Sequence, residues 1–178
     1  VSGSYVYFTE YQGNKIGRLD PSTGVFTEWT IPTGSSNPEG VAVSGSYVYF
    51  TEYWSQKIGR LDPAIGVFTE WTIPAANYPF GIAVSGGYLY FTEYAGNLIG
   101  RLDPSTGVFI KWNVPTVSNL YFIAISGGCV YFTEKDGNKI GRLDPSTGVF
   151  TEWTIPTASS YPVGIYVSGG YVYFTEGA

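Results

Sequence analysis

Apolar and polar positions alternate with a period of two along most of this chain, in short runs punctuated by Gly, Pro, Asp and Asn. Tyr5–Glu10 (YVYFTE) is the first clear run; a turn at 11–14, a second run at Lys15–Leu19 and the segment Asp20-Pro21-Ser22-Thr23-Gly24 follow it. Asp bonds the backbone ahead of it, Pro sets φ for a turn and Gly accepts positive φ, so the chain must reverse there. A third run, Val25–Ile31, stops at Pro32, which has no N–H to give a ladder. The small-residue run Gly40-Val41-Ala42-Val43 then leads through Ser44-Gly45 into the next aromatic run. The period, the abundance of Tyr and Val and the closely spaced breakers predict strands throughout and no helix.

The whole pattern repeats. VSGSYVYFTE and its variants begin at Val1, Val43, Val84, Ile125 and Val167, with spacings of 42, 41, 41 and 42 residues. Four short antiparallel strands per unit predict an all-β fold, a β-propeller of four-stranded blades of about 42 residues each. Gly, Ala and Val suit the crowded centre of such a fold, and Tyr, Phe and Trp fill the widening gap between blades. Residues 1–178 read as a single propeller domain, or as part of a larger one. Counted from the small inner strand, complete blades cover about 38–74, 79–115 and 120–156; residues 1–32 supply three outer strands, and 162–176 an inner strand with a further copy of the aromatic strand. A four-bladed ring would leave one strand redundant. The expectation is therefore a longer array, or self-association in which the loose ends pair with another copy; a closed four-bladed monomer is the alternative.

Charge narrows the partners. Charged residues make up 13% of the chain, the net charge is -5 and there is no basic run, which excludes the footprint of a nucleic-acid binder. No stretch approaches the ~18 consecutive apolar residues of a membrane span, and the first ten residues lack the pattern of a signal peptide. The chain starts at Val1 and contains no Met, as expected of a processed product or of a segment of a longer one. A composition rich in Tyr, Thr, Ser and Gly and poor in Lys suggests an extracellular or cell-surface protein, with a cytoplasmic one as the alternative. The single cysteine, Cys129, excludes an internal disulfide. It stands where other repeats carry Tyr5, Tyr47, Tyr88 and Tyr171, and is expected to be a small buried thiol.

In a propeller the loop into the inner strand and the loop after the aromatic strand emerge on one face. Here those loops diverge between repeats, whereas the S-G-[SG]-Y and D-P-[SA]-[TI]-G turns of the opposite face barely change. Aromatic and acidic residues gather on the variable face: Tyr53, Trp54, Tyr78, Phe80, Glu93, Tyr94, Tyr121, Glu134, Asp136 and Tyr161 form the candidate ligand-binding face. A protein, a glycan or a small flat ligand would stack and hydrogen-bond against such side chains; unconstrained drift of loop tips explains the same divergence without a ligand. Hairpin counting sets Glu10, Glu52 and Glu134 opposite Lys15, Lys57 and Lys139 as cross-strand ion pairs. Leu98 replaces that lysine in one repeat, so Glu93 is expected to lack a counter-charge and to be the most available carboxylate. The Arg18/Asp20 pair, repeated as Arg60/Asp62, Arg101/Asp103 and Arg142/Asp144, is expected to tie strand to turn.

The phrases YFTEYQGNKIGRLDPSTGVFTEWTIPT and PEGVAVSG resemble the blade of virginiamycin B lyase and its relatives, the streptogramin-lyase-like propellers, over the whole chain. The resemblance implies a closed ring of about six or seven blades and a lyase that removes a proton with a histidine base beside glutamates holding magnesium, Glu93 and Glu134 being their matches here. This chain contains no histidine, so no position inherits the base. No catalytic residue is assigned. No cofactor is expected, although carboxylates and loop carbonyls leave room for a hard divalent cation such as Mg2+ or Ca2+. The expected function is a non-enzymatic propeller scaffold for recognition or assembly, the alternative being a lyase-like enzyme whose base lies outside this segment.

Overall fold

The computed structural model describes residues 5–75 and 77–177. Seventeen strands and no helix make up the described chain. The first sheet holds β1 (Val6–Glu10), β2 (Lys15–Asp20) and β3 (Val25–Thr30). Three four-stranded antiparallel sheets follow: β4 (Pro38–Ser44) to β7 (Val67–Thr72), β8 (Pro79–Ser85) to β11 (Val108–Asn113), and β12 (Leu120–Ser126) to β15 (Val149–Thr154). β16 (Pro162–Ser168) and β17 (Tyr171–Glu176) form a two-stranded sheet. The three complete blades fall where the repeat predicts them. β1 lacks the inner neighbour that its equivalents have, and β16 pairs with β17 rather than with β1.

The chain divides into two compact units, residues 1–79 and 80–178. In the first, Tyr7, Ile16, Trp29 and Ile31 of the opening repeat pack on Val41, Val48, Phe50, Leu61 and Phe68 of the next. In the second, Tyr90, Ile99, Trp112 and Val114 pack on Ile123, Val130, Phe132, Leu143 and Phe150. It is the same joint, in which the Ile/Trp side of one blade receives the Phe/Leu side of its successor.

Individual letters of the repeat have separate physical causes. Phe50 is fully buried with its ring lying over Gly59, where a Cβ would overlap it; Phe8, Phe91 and Phe132 lie over Gly17, Gly100 and Gly141 in the same way. The inner strand bulges between Pro38 and Val41, Leu120 and Ile123, and Pro162 and Ile165. A bulge interrupts the ladder, and the threonine of the F-T-E segment repairs it: the amides of Gly40, Gly81 and Phe122 donate to the hydroxyls of Thr51, Thr92 and Thr133 at 2.9, 2.9 and 3.1 Å. The hydroxyls of Thr9, Thr92 and Thr133 also donate to the next inner strand, on the carbonyls of Glu39, Tyr121 and Val163 respectively.

Among the described residues the arginines make no close ion pair with the aspartates two positions on, although Asp144 does act on Arg142. Asp20 holds its own turn, accepting from the Ser22 amide at 2.9 Å and hydroxyl at 2.6 Å, which keeps its carboxyl below the usual range. Arg18 lies instead between the rings of Tyr5 and Trp29, 4.4 and 5.4 Å from their centroids, as Arg60 does between Tyr47 and Trp71 and Arg101 between Tyr88 and Trp112. Cys129 occupies the tyrosine's place beside Arg142, whose guanidinium hydrogen-bonds it, and is half-buried rather than buried.

Candidate functional site: two aromatic clusters and a buried carboxylate row

The turn after β5 (Tyr47–Glu52) carries Tyr53 and Trp54. It is tied to the loop before β4, the Tyr53 and Trp54 amides donating to the carbonyls of Asn37 and Ser36 at 3.2 and 3.1 Å. Tyr78, just before β8, stacks on Tyr53 with ring centroids 5.0 Å apart and 25° between planes, and meets Trp54 edge to face at 5.3 Å. The Trp54 indole N–H donates to the Tyr11 hydroxyl at 3.1 Å. Trp54 nevertheless remains 54% exposed. Tyr78 has φ of 59°, a left-handed conformation that is costly for a bulky side chain; its counterpart Asn37 adopts 52°. The aromatic replacement keeps a backbone shape that suits asparagine, and the stacked ring compensates.

In the second unit Phe80 lies 4.7 Å from Tyr121, 5.3 Å from Phe122 and 6.2 Å from Tyr94. Lys135 donates to the Tyr121 hydroxyl at 2.9 Å with its ammonium 4.6 Å from the ring centroid. That hydrogen bond holds the Lys135 ammonium above its ordinary pKa, and burial with the neighbouring Tyr121 raises that of Tyr94. Asn119 donates to Asp136 at the edge of this group. Tyr161 is exposed with φ of 44°, at the repeat position of Tyr78. Three of the ten expected residues, Tyr53, Trp54 and Tyr78, thus meet in one unit, and three more, Phe80, Tyr94 and Tyr121, in the other.

The carboxylates behave differently from the expectation. Glu52, Glu93 and Glu134 are fully buried. The lysines opposite them turn to the outer strand, Lys57 to Glu70 at 2.8 Å and Lys139 to Glu152 at 3.0 Å, and Lys15 likewise pairs with Glu28. Each internal pair clasps the loop of the preceding blade: the Thr33 amide and hydroxyl donate to Glu70 at 3.3 and 2.7 Å, and Lys57 donates to the same hydroxyl at 2.6 Å. Thr116, Glu152 and Lys139 repeat this with 3.0, 2.6 and 2.6 Å. Glu52 and Glu134 have their pKa pushed up to about 8 by burial and then by the charge of Glu70 or Glu152. Glu93 does not lack a counter-charge. Lys111, which stands where other repeats have glutamate, reaches it at 2.6 Å.

A magnesium ion does not fit the two glutamates that the resemblance matches to metal holders. Glu93 already faces the Lys111 ammonium, Glu134 is fully buried, and among the described residues no group of three His, Cys, Asp or Glu could hold a metal.

Four-stranded antiparallel blades with an aromatic second strand and a glycine under each phenylalanine define a β-propeller. Within that class the chain belongs to the virginiamycin B lyase family, whose model matches residues 3–178. A solved streptogramin B lyase is 33% identical, with a TM-score of 0.92 over 99% of this chain and 60% of that one. A catalytically inactive virginiamycin B lyase from Staphylococcus aureus, solved with quinupristin, is 32% identical, with a TM-score of 0.90 over 99% of this chain and 61% of its own. A chain of a nidogen/laminin complex, 14% identical, has a TM-score of 0.75 over 86% of this chain and 60% of that one, a likeness of fold alone. The chain thus spans about 60% of the lyases it matches. No curated protein matches it.

Proposed function

We propose that this chain is a recognition propeller without chemistry of its own, which takes a ligand with a flat face, such as a sugar ring, an aromatic group or a peptide, on its variable rim. The observation that carries this reading is the Tyr53–Trp54–Tyr78 cluster, in which stacking and the bond to Tyr11 preorganise an indole that stays largely open to solvent. The absence of histidine supports a binding role over a proton-transfer one. The composition fits an extracellular or cell-surface setting, which protease accessibility on intact cells would test.

The test is a fluorescence titration with quinupristin and with a panel of oligosaccharides as probes. A saturable change that is lost in Trp54→Ala, with the melting temperature unchanged, is the expected outcome. No saturable response to any probe, or a loss of stability in Trp54→Ala as large as the loss of signal, would overturn the reading. Family membership favours one alternative, a lyase whose base lies in sequence outside these 178 residues. Turnover of quinupristin by a longer chain bearing a histidine, but not by this one, would favour it.

A further inference from the structure

The residue after F-T-E is an aromatic in three repeats, Tyr11, Tyr53 and Tyr94, and a lysine, Lys135, in the fourth. In the first unit that tyrosine meets a ring one blade on, Tyr53 stacking on Tyr78 with centroids 5.0 Å apart and 25° between planes. Tyr161 stands to Lys135 in the repeat as Tyr78 stands to Tyr53, and its backbone is likewise left-handed, with φ of 44° against 59°. The position that would stack on Tyr161 therefore carries an ammonium on a flexible stem and not a ring. Tyr161 is 41% exposed, whereas Tyr78 is half-buried.

Lys135 turns back onto its own blade. Its ammonium lies 4.6 Å from the centroid of Tyr121 and donates to the hydroxyl of that ring at 2.9 Å, while Tyr94 meets Tyr121 edge to face at 5.3 Å. An ammonium has three N–H bonds to give, and Tyr121 takes one. Among the described residues no carboxylate lies within ion-pairing distance of it; the adjacent Asp136 accepts from Asn119 instead. A phenol orients the cation without cancelling its charge, which a carboxylate would do. The turn that carries Lys135 is also fixed in advance, its amide donating to the Asn119 carbonyl at 3.0 Å and the Gly137 amide to the Ser118 hydroxyl at 2.9 Å. All of these residues lie in the second unit, with a blade before them and β16 and β17 after them, so the arrangement needs nothing from the first.

We infer that the second unit binds a carboxylate carried on a flat ring, the ring stacking on Tyr161 in the place that Tyr53 takes against Tyr78 and the carboxylate meeting the Lys135 ammonium. The ring supplies what the tyrosine-to-lysine replacement removed, and the acid group supplies the counter-charge that Lys135 lacks. Aromatic acids and sugar acids share this chemistry, since both join a face that can lie on a phenol to an anion that an ammonium can hold. The inference deepens the rim reading and rests on it only in taking the variable face as the one that binds. Its residues are not those of the Tyr53–Trp54–Tyr78 cluster.

The test is a chemical-shift titration of the whole chain with para-hydroxybenzoate and with glucuronate, each beside its uncharged counterpart, para-hydroxybenzamide and glucose. At least one acid should saturate, with its counterpart binding roughly tenfold or more weakly; the acid that binds tells an aromatic source from a sugar. Lys135→Gln should weaken the acid by a similar factor and Lys135→Arg should keep most of the affinity, while Tyr161→Ala should weaken it about threefold to tenfold. Trp54→Ala should leave acid binding unchanged. Neither acid saturating, an acid and its counterpart binding alike, or full affinity in Lys135→Gln overturns the inference; if that variant fails to fold, the comparison of acid with counterpart on the native chain decides. Acid binding lost in Trp54→Ala but kept in Lys135→Gln overturns it and leaves the rim reading standing. Acid binding that depends on Lys135, with no response of Trp54 to any probe, upholds it and overturns the first cluster as a binding site.

Discussion

Glu52 and Glu134 are buried and sit beside a second carboxylate, so both favour the neutral form up to about pH 8. In the unfolded chain the same groups ionise near 4.5. Below that pH both states are protonated and nothing is lost. Between about 4.5 and 8 the folded state holds protons that the unfolded state has released, so stability falls as pH rises, by on the order of 1 kcal/mol per pH unit for each group, and levels off above 8. Chemical denaturation at a series of pH values should show this slope, and Glu52→Gln with Glu134→Gln should flatten it. An unchanged slope in the double variant would place the titration elsewhere. Hairpin counting found the right backbone register, since Glu52 does oppose Lys57, but not the side-chain partner. A lysine on a central strand has a neighbour on each side, and the outer strand offered Lys57 both a carboxylate and a threonine hydroxyl. In the third full repeat the lysine position is Leu98 and the outer glutamate is Lys111; a lysine moved by one strand still neutralises Glu93.

At the scale of the strand, the phenylalanine and glycine of F-T-E and K-I-G-R form one steric unit. Gly59→Ala should destabilise the fold by about 1–3 kcal/mol, the usual cost of overpacking, and Phe50→Leu in the same chain should recover part of it in thermal melts. The recurring tryptophans look equivalent in sequence but differ by position in the fold. Trp29 packs into a joint, whereas Trp153 borders an open groove. Trp29→Ala should therefore cost roughly 3 kcal/mol and Trp153→Ala about 1 kcal/mol or less; equal losses would show that the groove is covered in solution. The period of two, the turn chemistry and the blade boundaries were legible because each depends on neighbours within a few residues. The bulge in the inner strand and its repair by Thr51 were not, since a bulge is visible only once two strands are paired.

At the scale of the molecule, the repeat by itself determined the class of fold, the number of complete four-stranded blades and where their strands begin and end. All of these follow from local periodicity and from counting. Tyr53 and Tyr78, or Phe80 and Tyr121, are far apart in sequence, and only the tertiary structure decided that their rings meet. The same holds for the glutamates. The repeat sets Glu93 and Glu134 alike at the end of an aromatic strand, while the fold buried both, brought the Lys111 ammonium onto Glu93 and paired Lys139 with Glu152. Burial and the identity of the nearest counter-charge are properties of packed surroundings, which strands distant along the chain create together and no single repeat contains.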